Sequence, residues 1–196
     1  MDAVETIEYK SYTINVYQDV SSVNPIKDFD QLGKMACWHR DYILGHPHDF
    51  SNPEDFNEFL EEEERSGERF ILLPLYLYDH SGISISTGSF SCPWDSGQVG
   101  YIYVSYSDIR KEYSRKRVTK KLLKMIESFL RQEVALYDNY LTGQVYGYIV
   151  TAPWNENEEV DSCWGYFGGL ENSGLMESAR GAIDCEVAEI ESFWEV

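Results

Sequence analysis

From Val118 to about Leu141, Leu123, Ile126, Leu130, Val134, Tyr137 and Leu141 recur at steps of three or four without a break. This spacing predicts a long helix with one continuous apolar stripe, and such a stripe must be buried against another layer. Lys120, Lys124 and Arg131 fall on a different side. The remaining apolar pattern is mostly that of strands. Tyr12, Ile14 and Val16 alternate with Thr13, Asn15 and Tyr17 inside a strand predicted over 6–18. In the stretch 32–40, Met35, Cys37 and His39 share a face at period two. Residues 69–78 show little alternation, which predicts a central strand covered on both faces. Ile83 with Ile85, then 99–105, 145–151 and 160–167, complete the strands.

Two further helices are marked by their caps. Asn52 or Ser51 precedes Pro53, the favoured first-turn proline. Phe56, Phe59 and Leu60 then form a buried stripe, while Glu54, Glu58, Glu61 and Glu62 face away, and Ser66-Gly67 ends the helix. A C-terminal helix is predicted over about 173–191, with Glu177, Asp184 and Glu191 seven residues apart along one line. Gly174 and Gly181 weaken it by up to about 1 kcal/mol each. Ser107 is read as the cap of a short helix opening with Asp108, and 155–159 as an acidic loop. The expected architecture is α+β: one domain over residues 1–196, a mixed and mostly antiparallel sheet, and about three helices.

Composition is that of a globular chain, with 43% apolar and 15% aromatic residues in 196. Its longest apolar run, Phe70 to Tyr78, is interrupted by Pro74 and is too short for a bilayer span. The start, MDAVETIEYK, lacks the basic and apolar blocks of a secretory signal. A cytoplasmic location is therefore expected, with Cys37, Cys92, Cys163 and Cys185 as free thiols.

One stretch holds the ingredients of nucleophilic catalysis: Asp79-His80-Ser81-Gly82, followed by Cys92-Pro93-Trp94-Asp95-Ser96-Gly97. His80 would serve Cys92 as base, with Asp79 or Asp95 orienting it. The same residues are also good turn formers, with Cys92 as a small hydrophobe. His39, His46, His48 and Cys37 lie near one another, but zinc sites usually pair closely spaced ligands twice over. No metal and no cofactor are expected. Neither GxxxxGK[ST] nor GxGxxG is present, so a glycine-rich phosphate loop has no support.

Charge is laid out in three blocks. Nine of the sixteen bases fall between Arg110 and Arg131 against two acids, for +7; residues 1–109 carry −13 and residues 132–196 carry −12, giving −18 in all. The basic stretch, with Lys120, Lys121 and Lys124, invites a nucleic-acid reading. A pI near 4.5 opposes it, because nucleic-acid-binding domains are typically basic. A basic face solvated or balanced by neighbouring acids is the plainer reading, and direct nucleic-acid binding is not expected. The acidic sets, Glu61, Glu62, Glu63 and Glu64, the stretch 156–161, and Glu177, Asp184 and Glu191 with Glu195, place carboxylates on folded elements. Such arrays imitate a phosphate backbone, although acidic surfaces also serve solubility alone.

The phrases LGKMACWHRDYILGHPHDF (32–50), LPLYLYDHSGISIS (73–86), CPWDSGQVGYIYVS (92–105), YLTGQVYGYIV (140–150) and DSCWGYFG (161–168) resemble an uncharacterised family carried by bacteriophages and other mobile elements of bacteria. The resemblance implies an accessory protein made inside a bacterial cell. It supplies no catalytic residue. By analogy with acidic anti-restriction and anti-CRISPR inhibitors, it implies obstruction of a host nucleic-acid-handling protein. The expected function is therefore non-enzymatic binding and inhibition of such a protein through the acidic faces. The alternatives are a small hydrolase or transferase using Asp79, His80, Cys92 and Asp95, and an interaction protein that forms a homodimer.

Overall fold

The computed structural model describes residues 2–194, apart from the side chains of Glu156, Asn157 and Trp194. Its elements in chain order are β1 (Glu5–Tyr9), β2 (Tyr12–Gln18), α1 (Pro25–Asp28), β3 (Lys34–Cys37), α2 (Pro53–Arg65), β4 (Phe70–Asp79), β5 (Ile83–Ser86), β6 (Ser96–Ser105), α3 (Tyr106–Glu112), α4 (Lys120–Leu141), β7 (Val145–Ala152), β8 (Asn155–Phe167) and α5 (Leu175–Trp194). The fold class is α+β, as the sequence predicts. The predicted single sheet is instead two four-stranded antiparallel sheets, and the described residues form five helices. The chain divides into two compact units, residues 1–23 with 143–196, and residues 24–142.

In the first unit the strands run in the order β1-β2-β7-β8. The strand predicted over 6–18 is in fact a hairpin, folded at Lys10 (φ 47°) and Ser11 (φ 68°). Positive φ at both central residues is the type I′ turn, which matches strand twist and favours Asn-Gly. Lys-Ser carries no such signal. Tyr12, Ile14, Val16, Tyr148 and Val150 pack with Leu175, Ala179 and Ile183, four residues apart on α5. Ala152 pairs with Asn155, so the stretch predicted as an acidic loop continues as strand β8. An edge strand with a wet face accommodates acids, and Trp154 Nε1 donates to Glu158 across 2.9 Å. Trp164 lies over Gly147, where a Cβ would come within 2.3 Å of the indole, so only glycine fits.

In the second unit the order is β3-β6-β4-β5. Met35, Cys37, Ile102, Val104, Ile71, Leu73, Leu75, Leu77 and Ile85 share one face and meet Ile126, Leu130, Val134 and Tyr137 of α4. β4 is central but not covered equally: these residues are buried while the alternate ones, such as Leu72, remain partly exposed. On the opposite face α2 places Phe56 against Tyr101 and Tyr103. Asn52 caps α2, its side chain accepting from Asp55 N at 2.9 Å. The cap of α3 is Ser105 rather than Ser107, because β6 runs straight into the helix and its last residue accepts from Asp108 N.

Two carboxylates on α4 tie it to the flanks of this sheet. Glu133 accepts from Leu32 N (2.7 Å) and Gly33 N (3.0 Å), just before edge strand β3. Asp138 accepts from Ile85 N (2.7 Å) and Ser84 Oγ (2.8 Å) on the other edge strand, β5. Gly33 leaves room for this approach: a Cβ there would stand 2.6 Å from the end of the Leu130 side chain and 2.8 Å from a Glu133 oxygen, and would push both aside.

Candidate functional site

The turn after β4 and the loop before β6 bring the predicted catalytic set together. Ser81 (φ 57°) and Gly82 (φ 147°) reverse the chain between β4 and β5, and Asp79 N donates to Asp95 O at 2.8 Å. Asp95 Oδ2 accepts from Cys92 Sγ at 3.3 Å and lies 3.5 Å from His80 Nδ1. Asp79 stands at the end of the same strand. Tyr42, which the sequence reading did not single out, reaches Asp79 Oδ1 from another loop at 3.3 Å. The Asp79 charge, followed by desolvation, raises the Tyr42 phenol above its ordinary value. A groove of about 580 Å³ beside them is bordered by Trp38, Arg40, Asp79, Trp94 and Asp95.

What this arrangement does chemically follows from its order. A nucleophile needs its base in direct hydrogen-bond contact, with the orienting group behind the base. Here the Asp95 carboxylate accepts from the thiol and lies 3.5 Å from the imidazole, and no Cys92–His80 hydrogen bond occurs among the described residues. The His80 side chain is 63% exposed, so it is not held in a dry cleft. Ser96 Oγ donates to Cys92 O, adding a further brace to the loop. The network as it stands is a well-bonded turn.

The neighbouring histidines have a different task. β3 is an edge strand, and the loop after it folds back along its open side. His46 N donates to Met35 O at 2.8 Å, Met35 N donates to His46 Nδ1 at 3.0 Å, and His48 Nε2 donates to Cys37 O at 3.0 Å. Gly45 (φ 72°) bridges Ala36, and its N–H donates to the Tyr137 hydroxyl. Two imidazoles thus take the place of main-chain partners along this strand edge. His39 stacks on Tyr42 instead. No group of three or more His, Cys, Asp or Glu side chains among the described residues is arranged to hold a metal ion. All four cysteines are free, and burial pushes the Cys37 thiol up to about 12.

Desolvation, followed by the Lys34 charge, lowers His46 below its ordinary 6.5. The unfolded chain therefore binds this proton more readily than the folded one. Stability from His46 is present above pH 6.5 and is lost as pH falls toward the folded value. A melting series in this window should show that decline, at no more than about 1.4 kcal/mol per pH unit for one proton. It should flatten in His46→Asn.

The charged faces divide into paired and unpaired. On α2, Glu54, Glu58, Glu61, Glu62 and Glu64 are exposed and Glu63 is half-buried; Glu61 pairs with Arg65 at 2.8 Å. On α5, Glu177, Asp184 and Glu191 are exposed, but Asp184 is engaged by Lys10 Nζ at 2.8 Å and the Tyr9 hydroxyl at 3.1 Å. That ion pair holds the Asp184 carboxyl below its ordinary range. The acidic line read along α5 is therefore interrupted. Glu195 lies outside the described residues. Lys120, Lys121 and Lys124 are exposed, and among the described residues none of the nine bases from Arg110 to Arg131 forms an ion pair. Even Arg131, four residues after Glu127 in the favourable order, donates instead to Thr87 Oγ1 at 2.7 Å.

No protein-family model, curated protein or solved structure matches this chain. No helix among the described residues is long and apolar enough to cross a membrane.

Proposed function

We propose that the protein is an acidic binder that inhibits a nucleic-acid-handling defence protein in a bacterial cell, as an accessory factor borne by a phage or plasmid. The observation that carries the reading is α2. Its thirteen residues hold seven acids and one base, a net six negative charges over about 20 Å at 1.5 Å per residue. Five of these acids, Glu54, Glu58, Glu61, Glu62 and Glu64, are exposed, about one per 4 Å of helix axis, against roughly 3.4 Å per charge in one strand of duplex DNA. The capped N-terminus and the buried Phe56 fix this charge on a rigid body. Such a face steers encounter with a surface built for phosphates and raises the association rate. Trp94, 92% exposed, offers apolar contact area in the same unit.

The test is competition. In the presence of the protein, one or more of a panel of bacterial restriction nucleases should lose duplex DNA, and the inhibition should weaken as salt rises. Converting Glu61, Glu62, Glu63 and Glu64 together to Gln should slow association about tenfold or more. Glu177→Gln with Glu191→Gln should do less. A panel in which no nuclease releases DNA would sink the reading. The alternative, a small hydrolase or transferase at 79–97, rests on the gathering of His80, Cys92 and Asp95 at one turn beside a groove. Loss of biological activity in Cys92→Ser or His80→Asn with an unchanged melting curve would support it.

A further inference from the structure

We propose that a cleft on the second unit, bordered by Arg69, Arg110, Lys116 and Arg117, binds phosphate groups of a small phosphorylated ligand or a nucleic-acid backbone. Three separate segments build it: the entry to β4 with Arg69, α3 with Arg110, and the connection from α3 to α4 with Lys116 and Arg117. Together with Tyr106 and Val118 they line an open depression of about 430 Å³. The one carboxylate in its lining is Glu68. That carboxylate is already occupied: the Ser107 hydroxyl, the Arg69 N–H at 2.9 Å and the Arg110 charge hold it below its ordinary range. Four cations thus face one committed anion.

The surroundings make this surplus informative. Acids outnumber bases 34 to 16 in the chain, and mixing signs would relieve repulsion between like charges. Yet none of the four cations forms an ion pair among the described residues. Four other grooves of this unit either bring cations together with several carboxylates or hold a single arginine beside histidines. Three of the four cations are arginines, whose planar guanidinium donates in parallel to two phosphate oxygens. Arg110 is half-buried on a helix and is therefore partly fixed in place. A net charge of −18 repels anions at long range, so binding at physiological ionic strength requires local contacts of this kind. The sequence reading took these bases as one face with Lys120, Lys121 and Lys124. The fold separates out a concave subset and adds Arg69, some forty residues earlier in the chain.

The test is a titration at about 0.15 M salt with pyrophosphate, a nucleoside diphosphate and a short single-stranded oligonucleotide, read by calorimetry and by amide shifts. At least one probe should bind with a Kd below about 1 mM, shifting amides at 67–69, 106–110 and 116–118. The pair Arg110→Gln/Arg117→Gln should weaken it about tenfold or more, while Lys121→Gln/Lys124→Gln, the same charge change outside the cleft, should weaken it less than about threefold. Should Arg110→Gln disturb folding, Lys116→Gln/Arg117→Gln alters exposed positions only. Binding of pyrophosphate and the nucleotide assigns terminal phosphates as the ligand, whereas binding of the oligonucleotide alone assigns backbone phosphodiesters. Absence of binding by all three probes, or equal losses in the two double variants, overturns the proposal.

Discussion

Phe56→Ala is expected to destabilise the second unit by about 3–5 kcal/mol, the range for removing a buried aromatic ring. Phe56 is fully buried, with ring centroids of Tyr103 at 5.0 Å, Phe50 at 5.1 Å, and Trp38 and Tyr101 at 5.7 Å. These neighbours come from the loop after β3 and from β6, so the cavity would be lined by elements that cannot all collapse into it. Phe56→Leu retains much of the volume and should lose markedly less. Urea unfolding followed by near-ultraviolet circular dichroism reads the difference. The same substitution removes the anchor of α2, so association with the proposed nucleic-acid-handling partner should fall with it even where the acidic residues are intact. Stability near that of the wild type would mean that α2 is not packed as described.

Glu133→Ala should lose about 2–4 kcal/mol, because it strands the N–H groups of Leu32 and Gly33, and each buried donor left unpaired costs about 1–3 kcal/mol. Glu133 is only 8% exposed, so water offers little replacement. Glu133→Gln keeps one acceptor but turns an amide N–H₂ toward the other donor, and its loss should fall between those of alanine and the wild type. The pH dependence has a definite sign. Desolvation raises the Glu133 carboxyl above its ordinary 4.5, more than the two backbone N–H groups lower it. The folded state therefore holds this proton more readily than the unfolded chain. The contribution to stability falls as pH rises from 4.5 through the folded value, then levels. Subtracting the Glu133→Gln curve from the wild-type curve isolates it; a rise across that window would contradict the assignment.

How much of this was legible depends on whether the determinant is local. The helix α4, the Asn52-Pro53 start of α2 and the alternation in β2 are written in neighbouring residues, and each stands within a few positions of its expected place. The Lys10-Ser11 turn was not legible, because its conformation is imposed by the paired strands rather than by its own residue types. Nor was the division into two sheets: β2 finds β7 across more than a hundred residues, and periodicity says nothing about partners. The same limit applies to the sites. Asp79, His80, Cys92 and Asp95 fall within seventeen residues of the sequence, which by itself fixes no geometry; only the fold puts Asp95 beside both thiol and imidazole. Spacing also aligned Glu177, Asp184 and Glu191, but Lys10, which quenches the middle charge, comes from the far end of the chain. Arg69 joins Arg110 and Arg117 through the β4–α3 junction, for which no sequence motif exists.

The loop that folds back along β3 has a consequence for association. An open strand edge is a template on which another chain can add its own strand, and natural sheets cover such edges or place charge on them. Here the cover is fastened partly by imidazoles, one of which must stay unprotonated at Nδ1 to accept from Met35. Acidification puts a proton where the strand's N–H points and loosens the fastening locally. The bonds from His46 N to Met35 O and from His48 Nε2 to Cys37 O do not depend on that lone pair, so the cover is weakened at Met35 N and remains fastened on either side of it.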